Sequence, residues 1–148
     1  MSARLHLCGA DALERLEPMV AAFHAETGLA SDAEHRRAAL APLLDGSPYG
    51  AVYLIGPERA PVGYLVVTFS WSLVFGGMDA TLDELWIRPA VRGRGMAREA
   101  LEALIRGLRP AGITAISLEA ARGSSAEALH ARLGFEPRTG LGLMSRRL

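Results

Sequence analysis

Leu5 and Leu7 alternate with less apolar neighbours from Arg4 to Cys8, the period-two pattern of a strand, and Gly9 ends it. From Asp11 to Glu26 the spacing turns helical, with Leu13, Leu16, Val20 and Phe23 on one face. Pro18 inside that run predicts a kink or two short helices, and Gly28 is a stop signal. Ser31 is a good N-cap with Glu34 completing a capping box, so a second helix is expected to about Leu44, before the loop Asp45-Gly46-Ser47-Pro48. Ala51 to Ile55 reads as a short strand, and Gly56 to Ala60 as a hairpin connection. Val62 to Phe75 is a long β-rich stretch, with a bulge expected near Ser70 to Ser72. Gly76-Gly77 turns the chain and Met78 to Ile87 returns as the next strand. Met96 to Leu108 is an amphipathic helix with Ala97, Leu101, Leu104, Ile105 and Leu108 in its apolar stripe, ended by Pro110 and Gly112. Ile113 to Leu118 reads as a strand. Ser124 or Ser125 caps a helix through Leu133, and Gly134 stops it. Phe135, and then Leu141 to Arg147, predict one or two last short strands.

The element order β-α-α-β-β-β-α-β-α-β(β) predicts an α/β protein: a central mixed sheet with helices on both faces. At 148 residues the chain is read as a single domain spanning 1–148. Half of the residues are hydrophobic, which excludes a disordered chain. No apolar run approaches the ~20 residues of a membrane span, and no signal peptide is evident. The lone Cys8 excludes a disulfide framework and a cysteine zinc site, and fits a reducing cytoplasm. His6 and His35 show no ligand spacing, so no metal is expected.

Acidic and basic residues balance at 16 each, which argues against a dedicated nucleic-acid binder. The balance hides a segregation. Residues 1–87 hold five Arg against eleven Asp/Glu, formally −6, while residues 88–148 hold eleven Arg against five, formally +6. An acidic first part beside a basic second part suits a cationic molecule held next to a polyanionic one. The chain has no Lys, so every fixed positive side chain is a guanidinium.

The most informative stretch is Leu85-Trp86-Ile87-Arg88-Pro89-Ala90-Val91-Arg92-Gly93-Arg94-Gly95-Met96-Ala97. A strand ends at Pro89, a loop with two Gly and two Arg follows, and an amphipathic helix begins. Main-chain N–H groups of such a loop, with those of the helix's first turn, converge on a point that suits a phosphate or pyrophosphate. Gly93 and Gly95 allow torsions and close approach that a Cβ would block. A dinucleotide fingerprint fails because Arg98 stands where Gly or Ala is needed, and a P-loop needs a Lys.

Arg92-x-x-Gly95-x-Ala97, after a strand ending Leu85-Trp86-Ile87-x-Pro89, resembles the acyl-CoA-binding motif of the GNAT N-acetyltransferases, whose pattern is Gln/Arg-x-x-Gly-x-Gly/Ala. Leu118 through Ala126, Leu129 and Leu133-Gly134-Phe135 resemble the family's later strand, helix and terminal Gly-Phe. Phe69 through Trp71, Gly76-Gly77 and Asp83-Glu84-Leu85 look most like the branch that acetylates small amines and polyamines. The resemblance implies a V-shaped splay between parallel strands, here about 81–87 and 113–118. Pantetheine would lie in it against backbone groups of Trp86 and Ile87, and Arg92, Gly93, Arg94, Gly95, Met96 and Ala97 would hold the pyrophosphate. Two positions depart from the family. Gly123, with Ser124 beside it, stands where Asn is frequent, and His130 replaces the Tyr commonly assigned to protonate the departing thiolate.

The expected reaction is acetyl transfer from acetyl-CoA to a small-molecule primary amine, with no covalent enzyme intermediate and no metal. Free alkylamines are mostly protonated at pH 7, so a base is useful. Glu84 is preferred, with Asp83 the alternative; strand alternation would put the two on opposite faces. His24, Glu26, Trp71 and Asp83 are candidate contacts for the acceptor, and Ser124 for the cofactor. A protein N-terminal or lysine acetyltransferase and a non-catalytic acyl-CoA-binding module are the competing readings. A homodimer is a family-level expectation only.

Overall fold

The computed structural model describes residues 2–148. Five strands, β1 (Leu5–Leu7), β2 (Gly50–Ile55), β3 (Gly63–Ser72), β4 (Gly77–Ile87) and β5 (Ile116–Leu118), form one sheet in chain order. β1 through β4 are antiparallel, and β5 joins β4 in parallel. The helices are α1 (Leu13–Glu26), α2 (Ala33–Leu44), α3 (Met96–Leu108) and α4 (Ser125–Arg132). The α/β class and the mixed sheet are as the sequence pattern predicts.

Two cores flank the sheet. On one face Met96, Ala100, Leu101, Leu104 and Leu108 of α3 pack on Leu65, Val67, Ala80, Leu82 and Ile87. On the other, α1 and α2 bring Leu16, Met19, Val20, Leu40 and Leu44 against Val52, Leu54, Tyr64, Val66 and Trp86. Each fully buried Leu side chain contributes roughly 1.5–3 kcal/mol, which is what pins each helix to its face. Strand alternation decides which core a sheet residue joins: Leu65 and Val67 face α3, while Tyr64 and Val66 face α1.

Several boundaries differ from the sequence pattern. Pro18 sits inside one uninterrupted helix, because packing of Leu16, Met19 and Val20 outweighs the hydrogen bond its ring removes. Asp32, not Ser31, caps α2, accepting from the His35 N–H at 2.8 Å. Both are good capping residues one position apart, and Ser31 is occupied elsewhere. The bulge lies opposite Val66/Val67 rather than at Ser70 to Ser72. Residues 135–148 form no strand, and β5 keeps only the three residues that pair with β4. Leu141 and Leu143 of the tail are exposed.

Candidate active site

Three features of β4 shape the site. The first is its bulge. Val66 pairs with Glu84 and Val67 with Leu82, so Asp83 is the extra residue and has no partner in β3. A bulge resets alternation. Ala80 and Leu82 face the α3 core before it, Leu85 and Ile87 after it. Asp83, alternating from Leu82, and Glu84, bonded to Tyr64, therefore lie on the same α1-side face. The expectation that they point to opposite faces is corrected for this reason.

The second feature is the splay. β5 pairs only with Ala80–Leu82, and β4 continues for five more residues, roughly 17 Å of strand with no neighbour on that side. Arg88 N–H donates to the Val62 carbonyl at 2.7 Å. In an antiparallel ladder, the residues sharing that direction are Trp86 and Glu84. The backbone groups of Leu85 and Ile87 therefore face the splay, and those of Trp86 are paired with Tyr64. That corrects the assignment of Trp86 as a backbone ligand there and adds Leu85. The signal for Leu85 was the three-residue step between apolar positions 82 and 85, where a regular strand has two.

The third feature is the loop into α3. A 3₁₀ turn at Pro89–Val91 follows β4, then Arg92 is extended. Gly93 and Gly95 adopt φ of +76° and +79°, and Gly95 is the N-cap of α3 with no side chain capping it. The first bond into the helix runs from the Glu99 N–H to the Gly95 carbonyl. The N–H groups of Gly93, Arg94, Gly95, Met96, Ala97 and Arg98 have no protein partner among the described residues. Six unpaired donors at a positive helix end form an anion cradle that matches a diphosphate. The Arg94 side chain is likewise without a partner among the described residues.

A hydrogen-bonded chain crosses from α1 to β4. Tyr64, fully buried, donates its hydroxyl to Glu84 Oε1 at 2.7 Å. His24 Nε2 lies 2.6 Å from Glu84 Oε2, and its Nδ1 lies 2.7 Å from Ser31 Oγ. Arg36 Nη1 donates to Ser31 Oγ at 3.2 Å, which leaves the serine hydrogen free for Nδ1 and Nε2–H for Glu84. Burial and the charge of Glu84 hold the Tyr64 phenol far above its ordinary pKa, so it stays a donor. Both Glu84 oxygens are thus occupied. Asp83 has no hydrogen-bond partner among the described residues and opens to solvent. Its carboxyl is raised above the usual range, first by partial desolvation, then by the charges of Glu84 and Glu119, with His24 opposing. Tyr64 and Ser31 were not singled out by sequence. A Tyr within an otherwise aliphatic strand, whose hydroxyl needs a buried partner, was the available signal for the first.

The family model for the acetyltransferase (GNAT) family matches residues 15–135. The chain belongs to the GNAT acetyltransferase family. Among solved structures, this acetyltransferase superposes on an integron cassette protein from the mobile metagenome of Cole Harbour Salt Marsh. The TM-score is 0.83 at 26% identity, over 97% of this chain and 90% of that one. A GCN5-related N-acetyltransferase from Ralstonia eutropha JMP134 gives 0.75 at 19% identity, over 99% of each chain. AAC(6')-Iy, in complex with the bisubstrate analog CoA-S-monomethyl-acetylneamine, gives 0.79 at 16% identity over the whole of both chains. No curated protein matches.

Not every residue singled out by sequence joins these features. Glu26 accepts from the Trp86 indole N–H at 3.1 Å and from Arg92 at 2.9 Å, so its carboxylate is committed to the protein. Trp71 is 70% exposed near the far end of β3, and alternation from Phe69 puts it on the α3 face, away from Glu84. Ser124 caps α4, accepting from Glu127 N–H at 3.1 Å. His130 is buried against the Phe135 ring, its Nδ1 has no partner among the described residues, and burial lowers its pKa, which favours the neutral ring. None of the bonds around Glu84 reaches it. Cys8 is buried and its thiol is pushed up to about 11 by burial, which makes it a poor nucleophile.

Proposed function

We propose that this acetyltransferase moves an acetyl group from acetyl-CoA to the primary amine of a small molecule, by direct attack within a ternary complex. The observation that carries the reading is the continuous path from the six unpaired amides at Gly93–Arg98, along the open edge of β4, to Asp83. The amides and Arg94 suit the diphosphate. The edge groups of Leu85 and the N–H of Ile87, whose carbonyl accepts from Arg92 Nε, suit the pantetheine amides. Acetyl-CoA supplies the activated acyl group, and the rest of the chemistry belongs to side chains of this chain. Support for a small amine comes from the AAC(6')-Iy complex, whose bisubstrate analog joins CoA to acetylneamine.

Of the two β4 carboxylates, Asp83 fits the general base better than Glu84. It makes no hydrogen bond among the described residues, is open to solvent, and has a raised proton affinity, so it takes the proton of an incoming ammonium directly or through water. Glu84, held by Tyr64 and His24, supplies fixed negative charge beside it. A backbone N–H at Leu85 or Ile87 donates to the negative charge that develops on the acyl oxygen, a contribution of ~3 kcal/mol. His130, if it serves the departing thiolate, does so as a neutral N–H donor.

The test is free-thiol release from acetyl-CoA across panels of small amines and of peptides. Turnover on small amines and none on peptides supports the reading. Turnover confined to peptides moves the acceptor to a protein N-terminus or lysine. A thermal shift with acetyl-CoA but no turnover on either panel leaves a binding module. Stabilisation by NAD or ATP but not by CoA rejects the cofactor assignment.

A further inference from the structure

Arg92 opens the cofactor motif, and its guanidinium is spent inside the protein. Nε donates to the Ile87 carbonyl at 2.8 Å. Nη2 donates to both oxygens of Glu26, at 2.9 and 3.1 Å. Its carbon lies 5.9 Å from the centre of the Trp86 ring, and the Trp86 indole N–H donates to Glu26 Oε1 at 3.1 Å. Three side chains from α1, β4 and the loop thus close on one another. Arg94, two residues on, makes no such bond among the described residues.

Glu26 is the last residue of α1, where a negative charge meets the negative end of the helix dipole. An acid there is unfavourable unless a cation and a donor hold it, and Arg92 and Trp86 do both. The same last turn carries His24, which bonds Glu84. The end of α1 is therefore fastened to the catalytic strand and to the cofactor loop within three residues.

We propose that Arg92 is a positioning residue and not a phosphate ligand: with Glu26 and Trp86 it forms a clasp that ties the end of α1 to the loop and holds residues 93–98 in their anion-binding shape. The proposal rests on the acyl-CoA reading of that loop. On this account the charge that attracts the diphosphate is that of Arg94, and the value of Arg92 lies in its fork geometry.

Calorimetric titration of CoA into the full chain separates these roles, with circular dichroism as the check that each variant folds. Arg92→Ala and Glu26→Ala each weaken CoA by about three- to tenfold, the scale of one bidentate charged contact. The double variant is no worse than either single one, because both cut the same clasp. Arg92→Lys keeps the charge, loses the fork, and matches Arg92→Ala. Arg94→Ala weakens binding independently, and its effect adds to either. In turnover, the clasp variants raise KM for acetyl-CoA by more than they lower kcat. The proposal is overturned if Glu26→Ala leaves CoA affinity unchanged, if Arg92→Lys retains wild-type affinity, or if the Arg92 and Glu26 effects add. A wild-type chain that binds no CoA at all refutes the acyl-CoA reading instead.

Discussion

Asp83→Asn separates the proposed base from its neighbour most cleanly. The substitution keeps the shape of a side chain that makes no hydrogen bond among the described residues, at a bulge position with no β3 partner, so the strand should survive it. General bases contribute ~10²–10⁴-fold. Asp83 opens to solvent, and Glu84 lies on the same face, so water and the second carboxylate replace part of what is lost. The low end therefore applies: kcat falls by about 100-fold, ~2.7 kcal/mol of barrier. The assay is thiol release at saturating acetyl-CoA and amine across a pH series. The base must be ionised, so wild-type activity falls as pH drops through its pKa. Desolvation, Glu84 and Glu119 place that acidic limb above the ordinary aspartate range. The variant loses the limb. Stability moves the other way. The unfolded Asp ionises in the ordinary range and the folded one only at higher pH, so the folded chain binds more proton in between, and stability falls as pH rises through that window. Asp83→Asn escapes this loss, so it melts above wild type at neutral pH, and the gap closes below the ordinary carboxylate range. Wild-type kcat with an unchanged acidic limb would refute Asp83 as the base.

Other side chains give equally definite expectations. Tyr64→Phe removes the buried donor to Glu84 and costs about 1.5–3 kcal/mol, read as a lower midpoint in urea; an unchanged midpoint would mean that the bond contributes nothing. Gly95→Ala meets no atom within 4 Å, so its penalty is torsional, from φ of +79°, and amounts to about 1–2 kcal/mol in stability, with weaker CoA binding by calorimetry. His130→Phe replaces a buried ring whose Nδ1 lacks a partner among the described residues, and should raise Tm; a lower Tm would show that the nitrogen is satisfied. A fall in kcat in that same variant identifies the thiolate donor.

The legible parts of the chain were those set by local periodicity. Gly95 and Leu108 bound α3 where the sequence places them, because a strong apolar stripe is ended by a left-handed glycine on one side and by Pro110 and Gly112 on the other. The loop into α3 was legible because its glycines mark the backbone that an anion needs. The bulge at Asp83 was not, since it belongs to two strands at once, and only the 80, 82, 85, 87 spacing hinted at it. The engagement of Arg92 with Glu26 joins residues 66 positions apart, which no spacing rule reaches. The tail from Leu141 to Arg147 reads as a strand, but a strand also needs a neighbour with free backbone groups in register, and the tail takes none among the described residues.

Hydrogen–deuterium exchange at the amides of Gly93 to Arg98, with and without CoA, addresses the central claim directly. Six N–H groups without protein partners should exchange quickly in the free protein and slow markedly when CoA is added, while the amides of Gly46 and Gly112, at distant turns, stay unchanged. Fast exchange that CoA leaves untouched, or amides already protected in the free protein, would contradict the account.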